Sequence, residues 1–139
     1  MRVMGLDVGS ATIGVAVSDE LGYTAQGVEV IRRSNLAKDL ERVEELARAY
    51  GVECMVVGIP RNMNGTYGPQ AEEVRRFCQA LEKKLGLPVY EEDERLTTVA
   101  AEKALLEADL SRRRRRRVID QIAAALILQS FLQRWREKG

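Results

Sequence analysis

The sequence predicts an α/β domain built on a mixed β-sheet, and two observations indicate this class. Three segments near the amino terminus alternate apolar and polar residues, with turn residues between them. The later segments alternate between helical periodicity and short apolar runs, as is typical of parallel strands joined by helices. We therefore expect five strands, an antiparallel three-strand meander plus two parallel strands, flanked by helices. The 139 residues are enough for a single domain over 1–139 and leave little room for a second.

The meander comes first in the chain. Strands are predicted over Arg2–Val8, Thr12–Ser18 and Thr24–Ile31, where β-branched and apolar residues alternate with polar ones. Turn residues occupy Gly9–Ala11, after the first strand, and Asp19–Gly22, after the second. Short turns of this kind join antiparallel neighbours, so the three strands should pair in chain order.

The remaining elements are predicted from apolar spacing and from helix start and stop signals. The first is a helix over Leu36–Tyr50, with a cap at Ser34 or Asn35 and a stop at Gly51. It is followed by a strand over Cys54–Ile59, a loop over Pro60–Pro69, a helix over Gln70–Leu85 and a short strand over Pro88–Glu92. The last two elements are a helix capped by Thr97 or Thr98 and a helix that runs from the arginine block, residues 112–117, to about Trp135. The valine-rich first strand of this set is typical of a strand buried on both faces.

Composition limits the chemistry that the chain can perform. It contains no histidine, which excludes Ser-His-Asp triads and histidine-ligated zinc, and its two cysteines cannot form a four-thiolate zinc site. Cys54 and Cys78 lie among apolar residues, so we expect reduced core thiols. Neither a secretory signal nor an apolar run long enough to span a bilayer is visible. We therefore expect a cytoplasmic protein with no membrane partner.

Charge is balanced overall but unevenly distributed. The 22 basic and 21 acidic residues give a net charge of +1, yet six arginines are consecutive: Arg112, Arg113, Arg114, Arg115, Arg116 and Arg117. Cations at a helix N-terminus oppose the helix dipole, and binding an anionic backbone would offset that cost. Phosphate binding is therefore favoured over the alternative of a solvated loop. Because only 5% of residues are aromatic, base stacking cannot be the main mode of recognition, and recognition of duplex shape fits better.

Two aspartates lie in apolar surroundings. Asp7 is inside the first strand, immediately before the turn, where a carboxylate is costly to bury unless it is paired or bound to a metal. An aspartate that caps the hairpin turn is about equally well supported. Asp120 belongs to a helix that is apolar on nearly every side, so its carboxylate must face the protein or a cleft. The alternatives are an acid favoured by the helix dipole or a partner for a nearby arginine.

A third acid is expected at the end of the last strand. Strand alternation sends Glu92 and Glu94 to one side of the sheet and Glu91 and Asp93 to the other, and most of these four should be surface charge. Either Asp93 or Glu94 would complete a cluster of three carboxylates. Such a cluster is self-repelling and selects a hard divalent cation, Mg²⁺ or Mn²⁺. Two such ions can promote phosphodiester hydrolysis without histidine.

Four segments in this order and spacing resemble the YqgF or RuvX family of pre-16S ribosomal RNA nucleases, which are related to Holliday-junction resolvases. The segments are Asp7–Gly9 with Gly14–Asp19, then Val57–Thr66, Asp93–Thr98 and Val118–Gln129. The resemblance covers essentially the whole chain. It implies a ribonuclease H-like fold and a cytoplasmic role in trimming the 5′ end of precursor 16S rRNA.

The resemblance also implies site residues. Asp7, Glu94 and Asp120 become the catalytic, metal-binding carboxylates, with Asp93 in reserve for the second position. Candidates for contact with the nucleic-acid backbone are Arg61, Asn62, Arg95 and the arginine block, although a plain surface loop explains Arg61 and Asn62 about as well. Gly9, Gly14 and Gly58 would allow close approach of the backbone near the acids, although hairpin geometry alone could require the first two.

We therefore expect a metal-dependent nuclease that hydrolyses structured RNA, either free precursor rRNA or rRNA in ribosomal particles, and acts as a monomer or weak dimer. One alternative is a Holliday junction resolvase that cuts branched DNA. Another is a non-catalytic RNA-binding or transcription-associated factor. The hairpin around Asp7, Gly9 and Gly14 also resembles the phosphate-binding hairpin of actin-like and sugar-kinase-like modules. Because such modules generally need a second, similar domain, this interpretation ranks last.

Overall fold

The structure, a computed structural model, describes residues 1–62, 64–94 and 112–138, without the side chains of 112–118 and 138. Its elements are β1 (Val3–Val8), β2 (Thr12–Ser18), β3 (Ala25–Arg32), α1 (Leu36–Tyr50), β4 (Cys54–Ile59), α2 (Pro69–Leu85), β5 (Val89–Asp93) and α3 (Arg112–Lys138). The strands, α1 and α2 match the predicted bounds to within one residue at each end. The predicted helix capped by Thr97 or Thr98 lies outside the described residues.

The five strands form one mixed sheet in the order β3-β2-β1-β4-β5. β1 pairs antiparallel with β2, and β2 with β3, which is the predicted meander. β4 is parallel to β1, and β5 is parallel to β4. Every residue of β4 is buried, as expected for a parallel strand covered on both faces. The predicted fold class is confirmed.

Helices cover both faces of the sheet. On one face Leu6 of β1 belongs to an apolar cluster with Val43 of α1 and Val74 of α2. On the opposite face, which we call the α3 face, Val56 of β4 packs with Ile127 of α3. Successive residues of each inner strand point alternately to these two layers. The sheet is therefore held between two apolar clusters, whose burial is the main favourable term in folding.

A row of glycines lets α3 lie close against the sheet. We define the glycine track as Gly5 of β1, Gly14 of β2, Gly27 of β3 and Gly58 of β4. An added Cβ would lie 2.7 Å from Cβ of Leu128 at Gly5 and 2.1 Å from the carbonyl oxygen of Asp120 at Gly14. It would lie 2.8 Å from Cβ of Gln121 at Gly27 and 2.5 Å from Cδ1 of Ile127 at Gly58. The track therefore fixes where α3 crosses the sheet, and it sets Asp120 over β2.

Local signals explain where α1 begins and ends. Of the two predicted caps, Asn35 is the one that acts, because its Oδ1 accepts a 2.9 Å hydrogen bond from the backbone N–H of Lys38. Gly51 ends the helix with a left-handed φ of 65°, which glycine adopts without steric cost. None of the helices in the described part of the chain is both long and apolar enough to cross a lipid bilayer.

The two cysteines are buried, and both are free thiols. Burial raises the pKa of the Cys54 thiol to about 11 and that of the Cys78 thiol to about 12. Both side chains are therefore neutral near pH 7 and pack as small apolar groups. The prediction that they are core residues is confirmed.

Candidate active site

Asp7 lies near the end of β1 and is partly buried on the α3 face. It pairs directly with Gly14 of β2. Residues directly opposite each other in an antiparallel pair point to the same face of the sheet. Since the vacant side-chain position of Gly14 faces the backbone of Asp120, the Asp7 side chain projects toward the same helix.

Asp120 faces the sheet, as its apolar helix predicted. The hydroxyl of Thr12, at the start of β2, donates a 2.8 Å hydrogen bond to Oδ2 of Asp120. The carbonyl oxygen of Asp120 lies against Gly14, where it leaves no room for a side chain. Asp120 is therefore fixed to β2 through both its backbone and its carboxylate.

The acids of β5 alternate between the two faces as predicted. Glu92 forms an ion pair with Arg134 of α3. Its neighbour Glu91 forms a 3.0 Å ion pair with Arg75 of α2, on the opposite face. This alternation determines where the two candidates for the third carboxylate point.

Glu94, and not Asp93, lies on the α3 face. Oε1 of Glu94 is 2.9 Å from the position that a Cβ on Gly58 would occupy, next to α3. The β1–β4 register pairs Leu6 with Val57, so the next residues, Asp7 and Gly58, are at the same level. Asp93 instead has its Oδ2 3.4 Å from Nη1 of Arg61.

Asp7, Glu94 and Asp120 thus share one face and one end of the sheet. Among residues 1–62, 64–94 and 112–138, no three acidic or thiol side chains lie close enough together to hold an ion as a group. Ionised carboxylates only accept hydrogen bonds or bind cations. Each of these carboxylates could therefore supply one ligand to a cation whose remaining ligands are oxygens of water or a substrate.

The turn after Asp7 is held in place by residues that the sequence did not mark as functional, namely Thr12, Arg33 and Asp39. Nη1 of Arg33 donates a 2.7 Å hydrogen bond to the carbonyl oxygen of Gly9, while its Nε lies 3.0 Å from Oδ2 of the buried Asp39. The N–H of Gly9 donates to the carbonyl oxygen of Thr12 at 2.9 Å. No motif marks these residues, and Asp39 looks like an ordinary acid in the first turn of a helix.

Glu92 is an exception to the expectation that most of the four acids from Glu91 to Glu94 are surface charge. Its side chain is fully buried because α3 covers this part of β5. Burial raises the pKa of Glu92, and the nearby Arg134 guanidinium opposes that rise. Within the described part of the chain, its Oε2 has no hydrogen-bond partner. Glu92 therefore anchors β5 to α3 through an ion pair between its buried carboxylate and the partly exposed Arg134.

Two candidates for nucleic-acid contact lie in the loop after β4. Arg61 donates through Nε to the carbonyl oxygen of Gly65 at 3.0 Å, and its guanidinium lies 4.5 Å from the ring centre of Tyr67. The exposed Asn62 donates through Nδ2 to Oγ1 of Thr66 at 2.9 Å. Both side chains therefore already stabilise the loop.

The other candidates are only partly described. Arg95 lies outside the described residues. The backbone of Arg112–Arg117 forms the first turns of α3, as the predicted helix start required, but their side chains are outside the described set.

A cavity of about 620 Å³ lies on the face away from α3. Val8, Gly9, Arg33 and Phe77 contribute to its lining, whereas Asp7, Glu94 and Asp120 do not. The cavity is therefore separate from the three carboxylates.

The sheet order and the helix that crosses the sheet define a ribonuclease H-like fold. The RuvX family model, described as "Holliday junction resolvase", matches residues 1–134. The chain belongs to this family, so the resemblance in its motifs is confirmed.

Two relatives illustrate how much of the chain is shared. A protein of Moorella thermoacetica is 66% identical over 139 residues, which cover 100% of this chain and 99% of the relative. A protein of Heliobacterium modesticaldum is 62% identical over 132 residues, which cover 95% of this chain and 89% of the relative. Both are named pre-16S rRNA nucleases.

Solved structures of low sequence identity share the fold. Thermus thermophilus RuvC in complex with a Holliday junction substrate superposes with a TM-score of 0.60 at 17% identity, covering 97% of this chain and 96% of that one. The fowlpox virus Holliday junction resolvase gives a TM-score of 0.53 at 16% identity, covering 97% and 99%. At these identities the likeness establishes the fold alone.

Proposed function

We propose that the protein is a metal-dependent nuclease that trims the 5′ end of precursor 16S rRNA in the cytoplasm. Asp7, Glu94 and Asp120 are its catalytic carboxylates. The observation that carries this proposal is that the three come from distant parts of the chain and share the α3 face at one end of the sheet. The names of the two relatives support precursor rRNA as the substrate.

The donor set fits Mg²⁺ or Mn²⁺. Three carboxylates offer hard oxygen ligands, which these ions prefer. Protein sites for Mg²⁺ commonly supply one or two carboxylates and leave the other positions to water and substrate phosphates. Asp7, Glu94 and Asp120 would hold two such ions in this open manner. Bound there, the ions would activate water and stabilise the charge of the leaving oxygen.

Proton transfer must use groups other than histidine, since the chain has none. The proton released by the attacking water therefore passes to a carboxylate or to solvent. Asp7 is the proposed acceptor, because β1 lies between the strands that carry Gly14 and Gly58, against which Asp120 and Glu94 are placed.

The arginine block supplies the expected contact with the RNA backbone. Arg112–Arg117 precede Asp120 in α3. At a rise of about 1.5 Å per residue, their backbone positions lie roughly 4 to 12 Å from Asp120 along the helix axis. We propose that these arginines bind phosphates of a structured RNA. Because Arg61 and Asn62 already make contacts within their loop, they contribute less to RNA binding than the arginine block does. Arg95 is proposed as a further phosphate contact beside Glu94.

The proposal is tested by the cleavage of a precursor 16S rRNA fragment that spans the mature 5′ end, with Mg²⁺ or Mn²⁺ present. Asp7→Asn, Glu94→Gln and Asp120→Asn should each lower the cleavage rate by roughly 100-fold or more, since even indirect partners of a metal contribute about 10- to 100-fold. RNA binding, measured separately, should survive.

Asp93→Asn is the matched control, because the carboxylate of this neighbouring acid contacts Arg61 and strand alternation directs it away from α3. It should retain most of the activity. If Asp93→Asn is inactive and Glu94→Gln is active, Asp93 supplies the second carboxylate. If all three carboxylate variants cleave like the wild type, the proposed nuclease site is wrong.

A Holliday junction resolvase is the second candidate, because the matching family model carries that description. The two activities separate when a four-way DNA junction and the rRNA fragment compete in one reaction. We expect preferential cleavage of the RNA. A non-catalytic RNA-binding role is tested in cells, where full function of an Asp7→Asn, Asp120→Asn double variant would replace the nuclease proposal.

A further inference from the structure

We propose that Thr12 is a positioning residue that sets the geometry of both Asp7 and Asp120. Its hydroxyl holds the carboxylate of Asp120, and its backbone carbonyl closes the turn that follows Asp7. This inference rests on the proposed function, since it assigns a role within the same site.

The side-chain contact joins distant parts of the chain. Oγ1 of Thr12 donates to Oδ2 of Asp120 at 2.8 Å across a separation of 108 residues. Gly14 follows two positions later in β2, points to the same face and contacts the Asp120 backbone. The hydroxyl therefore orients a carboxylate whose backbone is already fixed.

The backbone contact reaches the other acid. The carbonyl oxygen of Thr12 accepts a 2.9 Å hydrogen bond from the N–H of Gly9, two residues after Asp7. The carbonyl oxygen of Gly9 in turn accepts a 2.7 Å hydrogen bond from Arg33. The turn is thus held from both sides, and Thr12 connects it directly to α3.

Orientation matters because the terminal torsion of an aspartate has a broad energy minimum, so its carboxylate rotates easily unless a partner holds it. Hydrogen bonds to metal-binding carboxylates hold them in this way, and their loss typically costs 10- to 100-fold in metal affinity or activity. A fixed Oδ2 leaves Oδ1 of Asp120 oriented for a cation. Orienting Asp120 requires only the hydroxyl of Thr12, whereas the hydrogen bond to Gly9 uses the backbone and is available to any residue at this position.

The test compares Thr12→Val, which keeps the branched shape but removes the donor, with Thr12→Ser, which keeps the donor. Cleavage of the rRNA fragment and binding of Mn²⁺ without RNA, followed by electron paramagnetic resonance of the free ion, are measured for each protein. Thr12→Val should lower kcat and Mn²⁺ affinity by about 10-fold or more, with a smaller change in KM for RNA. Thr12→Ser should stay within about 3-fold of the wild type.

Thr12→Ala provides the same comparison without added apolar bulk if the valine variant does not fold. Normal cleavage and Mn²⁺ binding by a Thr12 variant without the hydroxyl, while Asp120→Asn is inactive, would overturn the inference and leave the proposed function intact. A lower melting temperature with unchanged Mn²⁺ affinity would also overturn it, because the role would then be structural. Normal cleavage by Asp120→Asn would remove both proposals.

Discussion

The carbonyl oxygen of Asp120 lies 2.1 Å from the point that a Cβ atom on Gly14 would occupy. The backbone of α3 thus rests directly on β2 at the residue proposed for catalysis. Backbone atoms cannot rotate out of the way as the end of a side chain can. The glycine is therefore required by the position of the helix and not by a left-handed backbone conformation, since its φ is not in that region.

Gly14→Ala should separate α3 from the sheet around Asp120. Overpacking of a core typically costs about 1 to 3 kcal/mol, and a clash with backbone should be at the upper end, about 3 kcal/mol. Urea unfolding measures this change, and cleavage should also fall. Gly68→Ala is the control, because its added Cβ would be 3.8 Å from the nearest atom, Oδ1 of Asn62. Equal stability of the two variants would contradict the close contact.

Gly58→Ala should affect activity more than stability. The added Cβ would lie 2.5 Å from Cδ1 of Ile127 and 2.9 Å from Oε1 of Glu94, and both atoms end side chains that can move. We expect a stability loss of about 1 kcal/mol, at the lower end of the range for overpacking. A displaced Glu94 carboxylate should lower the cleavage rate by roughly 10- to 100-fold, as is usual for a catalytic group displaced by about 1 Å. Full activity would argue against a catalytic role for Glu94.

Arg134→Ala should destabilise the protein in a pH-dependent way. The substitution leaves the fully buried carboxylate of Glu92 without its cationic partner. Breaking a buried pair costs about 3 to 5 kcal/mol, and because Arg134 is partly exposed we expect about 2 kcal/mol at pH 7. Adding Glu92→Gln to the Arg134→Ala variant should recover most of the lost stability.

The pH dependence of that loss follows from the raised pKa of Glu92. The folded state holds the Glu92 proton more tightly than the unfolded state does, so ionisation lowers stability as the pH rises above the unfolded value. The Arg134→Ala loss should therefore shrink as the pH falls toward 4, where Glu92 becomes neutral. Urea unfolding at several pH values measures this, and a loss that is the same at every pH would contradict the buried pair.

Local patterns in the sequence predicted most of the fold. The bounds of strands and helices depend on apolar periodicity and on start and stop residues that are close together in the sequence. The bounds of β2 (Thr12–Ser18) and α1 (Leu36–Tyr50) therefore agree with the prediction. Alternation along β5 likewise predicted that Glu94 and Asp93 point to opposite faces. Two acids in unusually apolar surroundings, Asp7 and Asp120, indicated the site that we propose.

Contacts between distant residues could not be predicted in the same way. The path of α3 across the sheet depends on the glycine track, whose four members are on different strands. The hydroxyl of Thr12 finds Asp120 only once that path is set. Glu92 looked like surface charge because nothing near it in the sequence indicates that Arg134 covers it.

Asp7, Glu94 and Asp120 are proposed to bind a divalent metal at one end of the α3 face. Anomalous diffraction from a crystal soaked in manganese chloride would locate such an ion. We expect an anomalous peak in contact with carboxylate oxygens of these residues, and its loss in Asp7→Asn. Manganese bound only elsewhere, with no peak at these carboxylates, would disprove the proposed metal site.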